Sequence, residues 1–316
     1  MSTTDRSHPI KSVDVFSTGS AEQHQEHRFG SRLPKTIWAL TSRSWVFAPI
    51  NVFIVEHRDG LLLFDAGLDP AIVSNPNYID SPVGRFFLRK VFRLHIGSED
   101  TLSRNLETLG YSPDDVRKIV FSHLHFDHIG GIAEFPQAEL IVSSREWDQL
   151  ALPHPEREWI LREHIELPGT KWRQIVFTPS YDPSLAHFDG AYDVLGDGSL
   201  TLLPTPGHTP GSLSMLVRSA GSPPLLLIGD LSYEVDLLMN DQLPGVYHDK
   251  LQLLSSFANV RALKKQLPDL VILASHDPAA ADKINNVVQT YRNDGDRLNV
   301  THANSRVNRT DTHAVQ

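Results

Sequence analysis

Ser122-His123-Leu124-His125-Phe126-Asp127-His128-Ile129-Gly130-Gly131 places four potential metal ligands within six consecutive positions. Just before it, Lys118-Ile119-Val120-Phe121 is a β-branched and aromatic run, the pattern of a buried strand. The ligands therefore leave the end of a strand. Spacings of two, two and one do not suit one helix face, where same-side neighbours come three or four apart. A loop fits better, and Gly130-Gly131 lets the backbone turn sharply after it. Imidazole and carboxylate without thiolate suit zinc, iron, manganese or cobalt. A lone histidine is usually an ordinary surface or core residue, and the chain has sixteen. Clustering is different, because three His and an Asp at the mouth of a strand would be a crowded set of titrating groups unless a cation compensated them.

Working outward, Leu61-Leu62-Leu63-Phe64 ends in Asp65-Ala66-Gly67, Leu200-Thr201-Leu202-Leu203 leads to Thr205-Pro206-Gly207-His208-Thr209-Pro210-Gly211, Leu225 to Ile228 leads to Gly229-Asp230, and Leu270-Val271-Ile272-Leu273 leads to Ala274-Ser275-His276-Asp277. Each candidate ligand thus follows an apolar strand, and open α/β architectures put their sites at the carboxyl ends of strands. His-x-His-x-Asp-His, followed in order by these motifs, resembles the signature of the metallo-β-lactamase superfamily, with the resemblance covering roughly residues 45 to 280.

The resemblance implies an α/β, four-layer αββα sandwich with a two-metal cleft along one edge of its sheets. It implies that His123, His125 and His208 hold one divalent ion, that Asp127, His128 and His276 hold the other, and that Asp230 bridges both. Zinc is the first expectation, with cobalt, manganese or iron as alternatives. Two such ions can lower the pKa of a shared water to near neutrality and polarise a carbonyl oxygen, which is machinery for hydrolysis by a metal-bridging hydroxide. Asp127, a carboxylate beside that water, could pass a proton to the leaving group.

Substrate is narrowed by exclusion. Redox members of the superfamily carry an acidic residue at the position of His125. Many β-lactamases are exported and some use a Cys ligand, whereas this chain shows no signal and no Cys. A glyoxalase II would carry a basic C-terminal region, unlike this polar tail, and nuclease members want a positive surface. Tyr233, three residues after Asp230, is placed as in the N-acyl-homoserine lactonases, the quorum-quenching branch, where a tyrosine hydroxyl reaches the substrate. A tyrosine that merely packs at the cleft edge is the alternative. Trp45, Phe47, Leu237, Leu238 and Met239 could receive an acyl chain, and core packing explains them equally well. The expectation is a dinuclear hydrolase that opens the lactone ring of N-acyl-homoserine lactones, with Asp127 and Tyr233 as catalytic residues. Other ester, lactone or thioester hydrolysis is the enzymatic alternative, and a metal-bearing binding protein the non-enzymatic one.

At 316 residues the chain can bury a sizeable core, and one elaborated domain is expected. Its 29 basic and 38 acidic residues give a net charge of −9, which disfavours nucleic acid and anionic membrane as partners. With no Cys the fold cannot depend on redox compartment. The polar N-terminus shows no secretory signal and no run approaches a membrane span, so a cytoplasmic location is expected. Residues 1–30 read as a polar segment of low order at its extreme end, with only Val13-Asp14-Val15-Phe16 strand-like; 31–293 as the domain; and 294–316 as a disordered tail. Thr36 to Leu40 and Asn51 to Glu56 read as strands, and Asp59-Gly60 as a hairpin turn. Residues 68–97, with Pro70, Pro76, Pro82 and Phe86-Phe87-Leu88, read as an insertion: a subdomain covering the core, a lid, or an arm to a second copy in a homodimer. Helices are expected from Glu99 to Leu109, closed by Gly110, from Ser144 and from Arg157, then from Asp249 to about Gln266, with Asp249 as N-cap and Leu254, Phe257 and Ala258 buried, and from Ala279 to Tyr291.

Overall fold

The computed structural model describes residues 9–293. Seven strands form one sheet: β1 (Ile10–His24), β2 (Trp45–His57), β3 (Gly60–Phe64), β4 (Phe92–His95), β5 (Val116–Val120), β6 (Glu139–Ser143) and β7 (Lys171–Ile175), in the order β4-β1-β2-β3-β5-β6-β7. Five form the second: β8 (Tyr192–Asp193), β9 (Leu200–Pro204), β10 (Leu213–Val217), β11 (Leu225–Leu227) and β12 (Val271–Leu273), in the order β12-β11-β10-β9-β8. The helices are α1 (Gln25–Phe29), α2 (Lys35–Thr41), α3 (Ala71–Ser74), α4 (Pro82–Val91), α5 (Leu102–Thr108), α6 (Ser144–Trp147), α7 (Arg162–Ile165), α8 (Val235–Met239), α9 (Lys250–Gln266) and α10 (Ala280–Asn293).

Period-two alternation along the strands separates three apolar layers. Phe53, Val55, Leu62, Phe64 and Val120 of the first sheet meet Leu202, Leu213, Met215, Leu227 and Leu273 of the second between the sheets. The opposite face of the first sheet, with Ile54, Leu63, Ile119 and Leu140, is covered by Leu102 and Leu106 of α5. The opposite face of the second, with Leu203, Leu216, Leu226 and Ile272, is covered by Leu253, Phe257, Val260 and Leu263 of α9. This is the αββα sandwich that the motifs imply.

Topology brings the ligand strands to one edge. β3 and β5 are parallel. β10 runs antiparallel to both β9 and β11, and β11 parallel to β12, so β9, β11 and β12 end on the same side.

Several expectations need correction. The polar N-terminal segment carries β1, a fifteen-residue strand that lies between β2 and β4. Its buried polar residues, among them Ser12, Asp14, Thr18, Gln23 and His24, hide the apolar alternation. Thr36 to Leu40 is helical: it lies in α2, after Pro34 at the N-cap, with Trp38 and Ala39 buried and Ile37 and Leu40 exposed. So short an apolar run does not distinguish strand from helix by periodicity. Around Arg157 the chain is not one helix, because Trp159 takes a left-handed conformation between a 3-10 turn and α7. In α9 the Asp249 cap accepts from the Gln252 amide as expected, but Ala258 is exposed, Leu254 half-buried, and the buried stripe is Leu253, Phe257, Val260 and Leu263. The Asp59-Gly60 turn and the left-handed Gly110 after α5 stand as read.

Residues 68–97 form α3, α4 and β4. β4 extends the first sheet by pairing with β1, while Ile72, Tyr78, Ile79 and Leu88 make their own cluster with Phe126 and Leu161. The expected 294–316 tail lies outside the described residues. No helix among the described residues is long and apolar enough to cross a membrane.

Candidate metal centre

All seven ligand candidates converge at the edge where the strands end. His123 Nε2 lies 2.9 Å from His125 Nδ1, which lies 3.1 Å from His208 Nε2. Beside this trio, Asp127 Oδ2 lies 3.5 Å from His276 Nε2, and Asp127 Oδ1 lies 3.9 Å from His128 Nε2. Asp230 faces both groups. Its Oδ2 is 3.6 Å from His208 Nε2, and its Oδ1 is 3.3 Å from His128 Nε2 and 3.2 Å from His276 Nε2.

Backbone chemistry explains the convergence. Ser122 to Gly131 crosses directly against the Asp65-Ala66-Gly67 turn, and a Cβ on Gly130 would stand 2.1 Å from the Asp69 nitrogen, so only glycine passes. Asp65 itself holds φ +67°, an uncommon conformation for a non-glycine residue. Its carboxylate accepts from the Ser122 amide at 2.7 Å, the Ser122 hydroxyl at 3.0 Å and His128 Nδ1 at 2.9 Å.

These contacts set which nitrogen of each ring faces inward. His128 Nδ1–H donates to Asp65, His276 Nδ1–H donates to the Pro49 carbonyl at 2.8 Å, and His123 Nδ1 lies 2.9 Å from the Ser122 hydroxyl that donates to Asp65. In all three Nε2 is the nitrogen turned to the centre, as a metal ligand requires.

Glu146 ties the two ligand loops together. It is fully buried, and it accepts from the Leu124 amide at 3.0 Å, the Thr209 hydroxyl at 2.6 Å and the Gly211 amide at 3.1 Å. The sequence signal is Ser143-x-x-Glu146, the pattern of a capping box. Ser143 does cap the Glu146 amide, but the carboxylate reaches across to the ligand loops instead of folding back.

Electrostatics supply the test for bound cations. Burial, reinforced by the neighbouring imidazoles, holds His123 and His125 well below the ordinary histidine range, and burial holds His208 at about 4 although Asp230 opposes it. Burial works the other way against charge on Asp127 and raises its pKa. At His128 and His276 burial is outweighed, by the carboxylates of Asp230, Asp65 and Asp127 at the first and of Asp230 and Asp127 at the second, so both are raised. Protons there take the place of positive charge that the carboxylates demand. His128 Nε2 and Asp230 Oδ1 are buried and 3.3 Å apart, and neither has a hydrogen-bond partner among the described residues. A nitrogen and oxygen donor set turned inward in this way fits metal ions.

Tyr233, 3% exposed, lies with its ring 5.5 Å from that of His276, and its hydroxyl is 2.9 Å from His27 Nε2. Of the apolar candidates, Leu237 and Leu238 are buried, Leu238 in the layer with α9, Trp45 lies under the Arg93 guanidinium, and Phe47 and Met239 are exposed. A cavity of about 330 Å³ that none of them lines lies within the insertion, walled by Ile72, Val73, Tyr78, Ile79, Leu88 and Phe92.

Two residues of α1 escaped the sequence reading altogether. His27 contacts Tyr233, and the buried Arg28 donates to the His276 carbonyl at 2.9 Å and pairs with Glu234 at 3.4 Å. Nothing in a polar segment far upstream of the ligand motifs signals either role.

Comparison with known proteins agrees with the geometry. The family description "Metallo-beta-lactamase superfamily" matches residues 45–276. The chain is 31% identical over 238 residues to an N-acyl homoserine lactonase, AttM, of Rhizobium radiobacter, covering 73% of this chain and 83% of that one. It is 30% identical over 240 residues to an N-acyl homoserine lactonase of Bacillus thuringiensis, covering 76% and 85%. A solved N-acyl homoserine lactone hydrolase, with the product N-hexanoyl-L-homoserine at its catalytic metal centre, superposes with a TM-score of 0.68 at 26% identity, covering 85% of this chain and 94% of that one. The ordered motifs, the two-sheet sandwich and these likenesses together make the chain a member of the metallo-β-lactamase superfamily.

Proposed function

We propose that this chain is a dinuclear metal-dependent hydrolase that opens the lactone ring of N-acyl homoserine lactones, with zinc the first candidate metal. The observation that carries the reading is the disposition of Asp230 between two trios of ligands, joined to a tyrosine against the second trio. His123, His125 and His208 would hold one ion, Asp127, His128 and His276 the other, and Asp230 both. When bound, two such ions supply an activated water near neutral pH and polarise a carbonyl oxygen.

The chain's own residues do the rest. Asp65, Ser122 and the Pro49 carbonyl orient the imidazoles, so the ligand set is organised before substrate arrives. Asp127 lies on the open side of the second trio, 15% exposed at its side chain, and is positioned to carry a proton to the alkoxide that leaves as the ring opens. Tyr233 donates a hydrogen bond to charge that develops on the substrate. Phe92, in the wall of the insertion cavity, packs on Phe126 of the ligand loop and on His27, which supports that cavity as the place for an acyl chain. The relatives named as N-acyl homoserine lactonases support the substrate class.

Val83, Phe86 and Phe87 on α4 are exposed, which supports the insertion as an arm to a second copy more than as a closed cover. The test of activity is a panel of acyl lactones read by proton release, with β-lactam and thioester controls. Turnover of the controls alone would overturn the lactonase reading.

A further inference from the structure

We propose that His27 is a positioning residue: its Nε2–H donates to the Tyr233 hydroxyl oxygen, which leaves the phenolic proton free to point into the cleft. The inference rests on the reading of Tyr233 as a donor to substrate. His27 stands in α1, 5% exposed, with the Trp38 ring at 6.1 Å, the Phe92 ring at 5.3 Å and the Tyr233 ring at 5.6 Å, perpendicular to its own. The Nε2 to Oη distance is 2.9 Å, and Nδ1 is buried with no hydrogen-bond partner among the described residues.

Burial holds this imidazole at about 3, so it is neutral at working pH and carries one proton. Two arrangements are open. If the proton were on Nδ1, a buried N–H would face aromatic walls without an acceptor, at a cost of about 1–3 kcal/mol, and the tyrosine would spend its own proton on Nε2. If the proton is on Nε2, the unmatched atom is an acceptor, which proteins tolerate more often than an orphaned N–H. The hydroxyl then accepts from His27 and keeps its proton. The Tyr233 ring packs 5.5 Å from that of His276, beside the ligand cluster, so the phenolic proton, released from His27, has the cluster within reach. The tautomer of one histidine therefore decides whether Tyr233 can act as a donor at all.

The first test reads the tautomer directly in the unaltered protein, with one variant used only for assignment. Long-range ¹⁵N–¹H correlation of the metal-loaded protein, with the His27 signals assigned by their loss in His27→Gln, should show a protonated Nε2 and a bare Nδ1. The opposite tautomer overturns the proposal. The second is a double-mutant cycle on one acyl homoserine lactone, with metal content and Tm checked in each protein. His27→Leu should lower kcat by roughly tenfold with KM little changed. His27→Gln, whose amide can take the place of Nε2–H, should recover most of the loss. In a Tyr233→Phe background, His27→Leu should change kcat by less than about twofold, since the interaction is already gone. A full additional loss there would mean that His27 acts otherwise. Wild-type kcat in His27→Leu beside an impaired Tyr233→Phe would sink the positioning role alone. Wild-type kcat in Tyr233→Phe at equal metal loading would sink the reading of Tyr233 itself, and this inference with it.

Discussion

Asp65 accepts a hydrogen bond from His128 Nδ1–H at 2.9 Å while holding a left-handed backbone at φ +67°. One side chain thus fixes a ligand ring, and its backbone fixes the turn on which the ligand loop rests. Asparagine tolerates the left-handed region better than most residues, so Asp65→Asn should fold. It weakens the acceptor for His128 and Ser122, and metal affinity should fall by about 10–100-fold. Competition against a chromophoric chelator measures this. Unchanged affinity would show that Asp65 does not orient the ligands.

Metal content tests the two-site arrangement. Elemental analysis should find close to two ions per chain, and chelation should lower Tm, since binding to the folded state alone counts toward its stability. Asp230→Asn keeps the shape and removes the charge shared by both trios, so at least one ion and most turnover should be lost. The exposed His248, outside both trios, is the control: replacing it with Ala should leave metal content as it was. One ion per chain, with no gain on adding a second, would refute the dinuclear reading.

Glu146→Gln should act on the fold more than on the metals directly. Both of its oxygens accept hydrogen bonds, and the amide would present N–H groups where acceptors are needed. A loss of roughly 2–4 kcal/mol is expected, read as a drop in Tm or denaturant midpoint. A variant as stable as the parent would show that the two ligand loops hold without this bridge.

Asp14 gives a pH dependence away from the metals. Burial, with Glu56 nearby, pushes its carboxyl up to about 6 although Ser12 donates to it. The folded state therefore holds this proton more tightly than the unfolded chain. The associated stability is fully present below about 3.8 and is lost as pH rises through about 6. Asp14→Asn should match wild type at pH 4 and exceed it at pH 8 by up to about 3 kcal/mol. The difference in unfolding free energy between the two proteins, followed across that range, is the measurement. A constant difference would mean that Asp14 titrates as an ordinary carboxylate.

Much of the centre was legible because its ligands sit directly after apolar strands, where strand identity and motif spacing report the same edge. His123, His125, Asp127, His128, His208, Asp230 and His276 all converge. The supports are not legible, because they come from elsewhere in the chain: Asp65 stands at the end of an apolar strand and outside the ligand motifs, Glu146 is hidden in a capping pattern, and His27 and Arg28 lie in a segment that reads as polar. Their burial follows from β1, whose alternation is masked by polar side chains with specific partners, such as His24 Nε2 on the Lys90 carbonyl. His57 shows the same limit. Outside every motif it reads as dispensable, yet it is 2% exposed and lies 3.1 Å from Asp197 Oδ2, so its replacement should cost stability without touching the metals.

The superfamily match begins at residue 45, whereas β1, α1 and α2 come before it. A chain trimmed to the matched stretch would keep every ligand and yet leave β2, from Trp45 to His57, as a long apolar edge with the amides and carbonyls that faced β1 unpaired. Such edges recruit other chains. Trimming would also take away the partners of the Tyr233 hydroxyl and the His276 carbonyl. A minimal version of this protein would therefore be expected to precipitate, and its soluble remnant to be catalytically weak, through the loss of residues that carry no ligand at all.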